Sequence, residues 1–114
     1  MADCDLCGRS EPTLVPVRVR VPRYRDSYPE GMWRGLCKSC LECAHEAFRS
    51  KEKKVVQGRC ALSLVHGDVV EFDVRIPSFT HGVRMEVRHL TPKVLESCSI
   101  TYERDQRGEL PPYE

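Results

Sequence analysis

The sequence predicts an α+β fold, with a metal-binding half built around one main helix and a small antiparallel sheet after it. Two Cys-x-x-Cys pairs lie within the first 40 residues, and a segment with helical apolar spacing starts at the second pair. From residue 58 onward apolar and charged residues alternate, as they do in antiparallel strands with one solvated face. The 114 residues fit one small domain. We expect it to comprise a zinc-binding part at 1–57, strands at 58–104 and a loose tail at 105–114.

The overall charge and the cysteine count narrow the class of protein. Lys plus Arg is 18 against 17 Asp plus Glu, so the net charge of +1 is not that of a strongly basic nucleic-acid binder. The polar start "MADCDLCGRS" lacks the apolar core of a secretory signal, and no apolar run is long enough for a membrane span. We therefore expect a cytoplasmic protein without membrane contact, whose thiols stay reduced. Seven cysteines is an odd number, which a complete disulfide framework cannot use, so the cysteines favour metal.

The two Cys-x-x-Cys pairs predict one structural zinc ion. Cys4 with Cys7 and Cys37 with Cys40 supply four thiolates, the ligand set of a closed tetrahedral zinc site. Soft thiolates favour zinc over hard cations, and four of them leave no coordination position for water or substrate.

A third cysteine, Cys43, follows at the same spacing in "GLCKSCLECAHEAF". Ser39 and Glu42 have the spacing of a capping box, which would start the helix at Cys40 and leave Cys37 in the turn before it. Both of those sulfurs could then reach one ion, while Cys43 would lie on the buried helix face. The alternative pair, Cys40 with Cys43, stays open at this stage.

The remaining elements are predicted from periodicity. The helix is expected over 37–57, with Lys51, Lys53 and Lys54 in its last turn and Gly58 as its stop. His66-Gly67-Asp68 would form a tight hairpin turn, and "CSITYER" (98–104) would be a last strand with Cys98, Ile100 and Tyr102 on one face.

A strand register follows from charge. In the strand at 70–76 the apolar residues alternate with Glu71, Asp73 and Arg75, and "VRMEVRHL" repeats this pattern. Pairing Arg75 with Glu86 and Asp73 with Arg88 places both apolar faces on one side. This register closes through a four-residue loop, Phe79 to Gly82.

The cysteine pattern resembles that of the treble-clef zinc fingers. A zinc-ribbon variant remains as an alternative. "CDLCG" is similar to the zinc knuckle, residues 13–34 would supply the hairpin, and "GLCKSCLECAHEAF" is similar to the knuckle that leads into the closing helix. The resemblance covers about residues 4–54. It implies a zinc fold, and because such fingers serve many roles it implies little about function.

An arginine-rich strand supports the leading functional hypothesis, binding of RNA or DNA. Arg18 and Arg20 alternate with valines, and an aromatic residue lies near the other arginines of the cluster. Such residues can hold phosphates and stack a base. The same pattern also fits an edge strand that outward charge protects from aggregation. The predicted contact residues are Arg18, Arg20, Arg23, Arg25 and Arg34.

The alternative function is a protein–protein adaptor within a larger assembly, which the near-neutral charge favours. No histidine lies in a metalloprotease-type motif, no Gly-rich phosphate loop is present, and no small-molecule substrate is evident. A thiol redox role for "CKSC" would need a βαβ context, which the preceding segment does not resemble. We therefore expect a non-enzymatic protein.

Overall fold

The computed structural model describes residues 2–78 and 82–109, with the side chains of 77 and 78 left out of the description. Its elements in chain order are β1 (Ala2–Asp3), β2 (Ser10–Glu11), β3 (Val15–Val19), β4 (Met32–Leu36), α1 (Lys38–Arg49), β5 (Lys54–Arg59), β6 (His66–Ser78), β7 (Gly82–Leu90) and α2 (Pro92–Gln106). The strands form antiparallel pairs β1–β2 and β3–β4 and a three-stranded sheet in the order β5-β6-β7. The predicted α+β class is confirmed. The sequence predicted one main helix, whereas the described residues contain two, α1 and α2.

The N-terminal hairpin forms where the valine alternation predicts it. Val15, Val17 and Val19 are buried on one face of β3, while Arg18 faces solvent opposite Trp33 of β4. The apolar face is thus directed into the core, as expected of a strand with one solvated face. The strand stops before Pro22, which starts a single 3-10 turn.

Helix α1 is shorter than the sequence predicted, and the capping box is wrong. Cys37, in an extended conformation, occupies the N-cap without a side-chain cap, and the Ser39 hydroxyl instead donates to the backbone oxygen of Arg75 at 3.4 Å. The helix ends at Arg49, because Ser50 is extended. Beyond it Lys54 starts β5, whose β-branched valines favour strand over helix.

The turn between β5 and β6 lies earlier than predicted. Residues 60–65 form it, closed by a hydrogen bond from the Cys60 N–H to the Val65 oxygen at 2.9 Å. His66, Gly67 and Asp68, the predicted turn, are strand residues, and Gly67 pairs with Gly58. Two glycines facing each other therefore belong to the ladder.

The register of β6 and β7 differs from the prediction by one residue. Arg75 pairs with Met85 and Asp73 with Val87, so Glu86 lies opposite Val74. The cause lies at the other end of the hairpin, where Val70 pairs with Leu90 and both are buried. Burial there outweighs the few tenths of a kcal/mol that surface charge pairs supply. The predicted loop residues 79–81 lie outside the described residues, and Gly82 already belongs to β7.

Helix α2 replaces the last predicted strand. Thr91 is its N-cap, with its hydroxyl accepting from the Val94 N–H at 3.4 Å, and Pro92 occupies the first turn. Leu95 and Cys98 are fully buried at helical spacing, while Ile100, expected on the same face as Cys98, is half exposed. The helix packs against α1 and also contacts β3 and β6, so one core cluster draws on both predicted parts of the chain. The tail residues 110–114 lie outside the described residues.

Candidate metal centre

The four cysteines of the two Cys-x-x-Cys pairs come together at one point. The Sγ atoms of Cys4, Cys7, Cys37 and Cys40 all lie within 4.8 Å of one another, and the Cys7 and Cys37 sulfurs are 3.8 Å apart. A tetrahedron of thiolates at about 2.3 Å from one ion has sulfur–sulfur edges of about 3.8 Å. Three of the four residues are buried and Cys7 is partly buried. The arrangement can hold one metal ion.

The first pair is shaped by a tight turn. The Cys4 N–H donates to the Arg9 oxygen and the Gly8 N–H to the Cys4 oxygen, both at 2.9 Å, between the short strands β1 and β2. Gly8 has φ +80°, a left-handed conformation that glycine adopts without strain. This turn places both sulfurs of the pair on one side of the loop.

The second pair lies where β4 runs into α1. Cys37 is the N-cap and Cys40 is in the first helical turn, so both sulfurs lie at the positive end of the helix dipole, which favours thiolates. The Cys37 N–H contacts the Cys4 sulfur at 3.4 Å. Asp5 also ties the two pairs together, because its carboxylate accepts from the Gly35 N–H and its own N–H donates to the Gly35 oxygen, each at 2.8 Å.

Cys43 lies outside this group. It is buried on the inner face of α1, and burial raises the pKa of its thiol. A neutral, buried cysteine packs as a small apolar residue. The sequence offered five cysteines for four positions, and the structure brings together Cys4, Cys7, Cys37 and Cys40.

The thiols of the group are electrostatically coupled. Hydrogen bonds from the Cys37 and Cys40 thiols lower the pKa of the Cys4 thiol. The bond to Cys4 raises the pKa of Cys37 to about 12, and the bonds to Cys37 and then Cys4 raise the pKa of Cys40. Ionisation of one of these three thiols therefore makes ionisation of the other two less favourable. A bound cation is needed for all three to be thiolates at once.

One supporting contact had no signal in the sequence. Arg88 of β7 donates from Nε to the backbone oxygen of Leu6, inside the first cysteine turn, at 2.7 Å. Its Nη2 also contacts Glu86 at 3.1 Å. The bond from Arg88 to Leu6 depends on the observed register, because Arg88 would face the other side of the sheet if β7 were shifted by one residue.

The arginines of the predicted nucleic-acid surface have mostly intramolecular contacts. The Arg18 guanidinium lies 4.6 Å from the centre of the Trp33 ring, and that of Arg23 lies 5.8 Å from the Tyr24 ring. Arg34 donates to the backbone oxygen of Leu62 at 3.2 Å. Arg20 and Arg25 are exposed and line a shallow cavity of about 170 Å³ beside Tyr28.

Comparison with known proteins identifies the family. The family model of F420H2 dehydrogenase subunit FpoO matches residues 1–107. The chain belongs to the FpoO family. It is 35% identical over 112 residues to F420H2 dehydrogenase subunit O of Methanosarcina mazei, a match that covers 93% of this chain and 86% of that protein. No solved structure matches the chain.

Membership of the FpoO family corrects the leading functional hypothesis. The relative is a dehydrogenase subunit, so the hypothesis of RNA or DNA binding is wrong, and the nucleic-acid contacts predicted for Arg18, Arg20, Arg23, Arg25 and Arg34 lose their basis. The alternative, a protein within a larger assembly, agrees better with the family. The treble-clef resemblance likewise gives way to FpoO as the family, although the four-cysteine group remains a plausible zinc-finger-like site. In residues 2–78 and 82–109 no helix is long and apolar enough to cross a membrane.

Proposed function

We propose that this chain is a non-catalytic subunit of an F420H2 dehydrogenase, with a fold held by one zinc ion and a role in binding other subunits of the enzyme. The family and the M. mazei relative support the assembly role. Cys4, Cys7, Cys37 and Cys40 would bind the ion, whose chemistry is to neutralise four thiolates and fix their geometry.

The observation that carries the zinc assignment is the short distance between all four sulfurs. Sγ atoms within 4.8 Å of one another surround a space for a single ion. A cluster of several irons would push its four ligands further apart, because bridging sulfides lie between the metals. Four thiolates also fill the coordination shell, so no position is open for a substrate, as in structural zinc sites.

The exposed aromatic residues of the N-terminal hairpin favour a protein partner. Trp33 is 52% exposed beneath the Arg18 guanidinium, and Tyr24 and Tyr28 are exposed in the neighbouring loop. Trp, Tyr and Arg are the residues that most often dominate binding energy at protein–protein interfaces. The surface first assigned to nucleic acid therefore suits contact with another subunit.

A tagged copy of the chain, expressed in its native host, tests the assembly role. Affinity purification from cell extract should recover F420H2-oxidising activity, and the double variant Arg18→Ala/Trp33→Ala should recover much less while the chain itself is retained at equal yield. The matched control is Arg59→Ala, an exposed arginine on β5. Wild-type chain that purifies without any F420H2-oxidising activity would contradict the proposal.

Metal analysis tests the zinc assignment. Chain purified under reducing conditions should contain about one zinc ion per molecule and no visible absorption. If the chain contained stoichiometric iron with visible charge-transfer bands, the zinc assignment would be wrong. The site would then have a role in electron transfer.

A further inference from the structure

Strand β7 has an apolar stripe that the rest of the described chain leaves uncovered. Val83, Met85 and Val87 occur at alternate positions and are 57%, 52% and 47% exposed. They share one face of the sheet with Asp73 and Arg75 of β6. The one-residue shift of register puts this stripe outside the core, where a soluble strand normally carries polar residues.

The same strand has a free edge. Among the described residues, β6 is its only strand neighbour, and β7 closes one side of the sheet. The Val87 oxygen accepts from the Arg88 Nη1 at 2.9 Å and the His89 oxygen from the Ala61 N–H at 2.9 Å, both outside the ladder with β6. Since carbonyls alternate in direction along a strand, those of Val83 and Met85 also point away from β6. An unpaired edge of this kind is a template for another strand.

We propose that β7 pairs antiparallel with β7 of a second copy of this chain, about a two-fold axis at Met85. Met85 then lies opposite its counterpart, and Val83 opposite Val87 of the other copy. Arg84 of each copy lies opposite Glu86 of the other copy, so the dimer contains two such pairs. The residues 83–87, Val-Arg-Met-Glu-Val, thus match themselves in both apolar side chains and charge.

Charge complementarity selects a second copy as the occupant. Arg84 and Glu86 are on the opposite side of the sheet from the stripe, and within one chain they contact each other and Glu86 also contacts Arg88. Antiparallel pairing of two identical strands brings unlike charges together only when the charges are placed symmetrically about the axis, as these two are. The two-fold pair also gives the outward carbonyls of Val83 and Met85 their N–H partners, because hydrogen-bonded residues in such a ladder exchange both bonds. It adds a second donor to the Val87 oxygen, which already accepts from Arg88.

The pairing joins two three-stranded sheets into one of six strands. It buries a narrow surface of about five residues per chain, which is small for a stable interface, so we expect a weak dimer that depends on concentration. The proposal goes beyond the role in the dehydrogenase and does not depend on it.

Charge-swapped variants provide the test, with sedimentation velocity over a range of concentrations as the readout. The wild type should shift toward the mass of a dimer as its concentration rises. Arg84→Glu places two acidic residues opposite each other, and Glu86→Arg places two basic ones, so each variant alone should dimerise at least tenfold more weakly. An equimolar mixture of the two should dimerise again, because every cross-strand pair is then oppositely charged. The double variant Arg84→Glu/Glu86→Arg should dimerise like the wild type.

Urea unfolding of each variant distinguishes a lost interface from a lost fold. Variants that unfold at the wild-type midpoint, yet follow the dimerisation pattern above, support the proposal. A wild-type chain that stays monomeric at every concentration would overturn it, and so would single variants that dimerise as well as the wild type. If β7 instead pairs with another subunit, the free chain is monomeric, which also overturns the proposal.

Discussion

The Nε of Arg88 donates to the backbone oxygen of Leu6 over 2.7 Å, across 82 positions of sequence. Leu6 lies between Cys4 and Cys7, and Arg88 lies near the end of β7. The bond therefore connects the sheet of the second half directly to the turn that supplies two of the four sulfurs. Arg88 is only 24% exposed, so the bond is shielded from much of the solvent.

Removing this guanidinium should destabilise the turn that carries Cys4 and Cys7. We expect Arg88→Ala to lower the free energy of unfolding by about 1–3 kcal/mol, because a charged donor is lost and a backbone oxygen is left without it. Zinc transfer to a chromophoric chelator should become faster. Urea unfolding and the chelator assay measure the two effects. Arg59→Ala, at an exposed site on β5, is the control and should change stability by less than about 0.5 kcal/mol. Equal effects of the two substitutions would show that the bond to Leu6 is of no importance.

The choice of ligand among the clustered cysteines is testable with two substitutions. Cys37→Ser should abolish stoichiometric zinc and unfold much of the N-terminal half, because metal-binding energy in such sites is folding energy. Cys43→Ala should retain one ion per chain and cost about 1–2 kcal/mol of packing. Metal content by mass spectrometry and unfolding by circular dichroism decide the matter. Loss of zinc from Cys43→Ala, with zinc kept in Cys37→Ser, would reverse the assignment.

The two hydroxyl residues near helix starts should differ in their contribution to stability. Thr91 caps α2 by accepting from the Val94 N–H, so Thr91→Ala should cost about 1 kcal/mol. Ser39 has the spacing of a capping residue but caps nothing, so Ser39→Ala should cost less than about 0.5 kcal/mol. Parallel urea titrations compare them. A larger loss for Ser39→Ala would restore the capping box that the structure rejects.

Cys98 should make stability depend on pH in the alkaline range. Burial raises the pKa of its thiol from 9.0 to about 12. The unfolded chain then ionises at lower pH than the folded chain, so the thiol's contribution is complete below pH 9 and is lost as pH rises toward 12. Between pH 8 and pH 10 the expected loss is about 1 kcal/mol. Cys98→Ala should remove this part of the slope while lowering stability at pH 8 through lost packing; an unchanged slope would contradict the prediction.

The sequence predicted those parts of the molecule in which one local pattern determines the outcome. The valines of β3, the inner face of α1 and the apolar face of β6 follow periodicity alone, because each faces a single core. The spacing of the four cysteines likewise anticipated which sulfurs the fold brings together.

The remaining parts depend on contacts between distant residues. Cys98, Ile100 and Tyr102 alternate as a strand would, yet burial of Leu95 and Cys98, together with the Thr91 cap, makes the segment a helix. The register of β7 is fixed by buried Leu90 and not by its charges. Thr91 followed by Pro92 is a local signal for the start of α2 that the alternation of later residues obscured. The partner of a strand cannot be deduced from a window of ten residues, and the bond from Arg88 to Leu6 had no local signal.

The position of the cysteines along the chain also orders events during synthesis. All four sulfurs belong to residues 4–40, so all four leave the ribosome before β5 or any later element does. An ion can be captured by the nascent chain at that stage, and Arg88 reaches the occupied turn only when the last third emerges. In a zinc-starved cell, the newly made sheet and α2 would find no ordered surface to pack against. We expect such chains to be degraded, so the amount of this protein would follow the supply of metal.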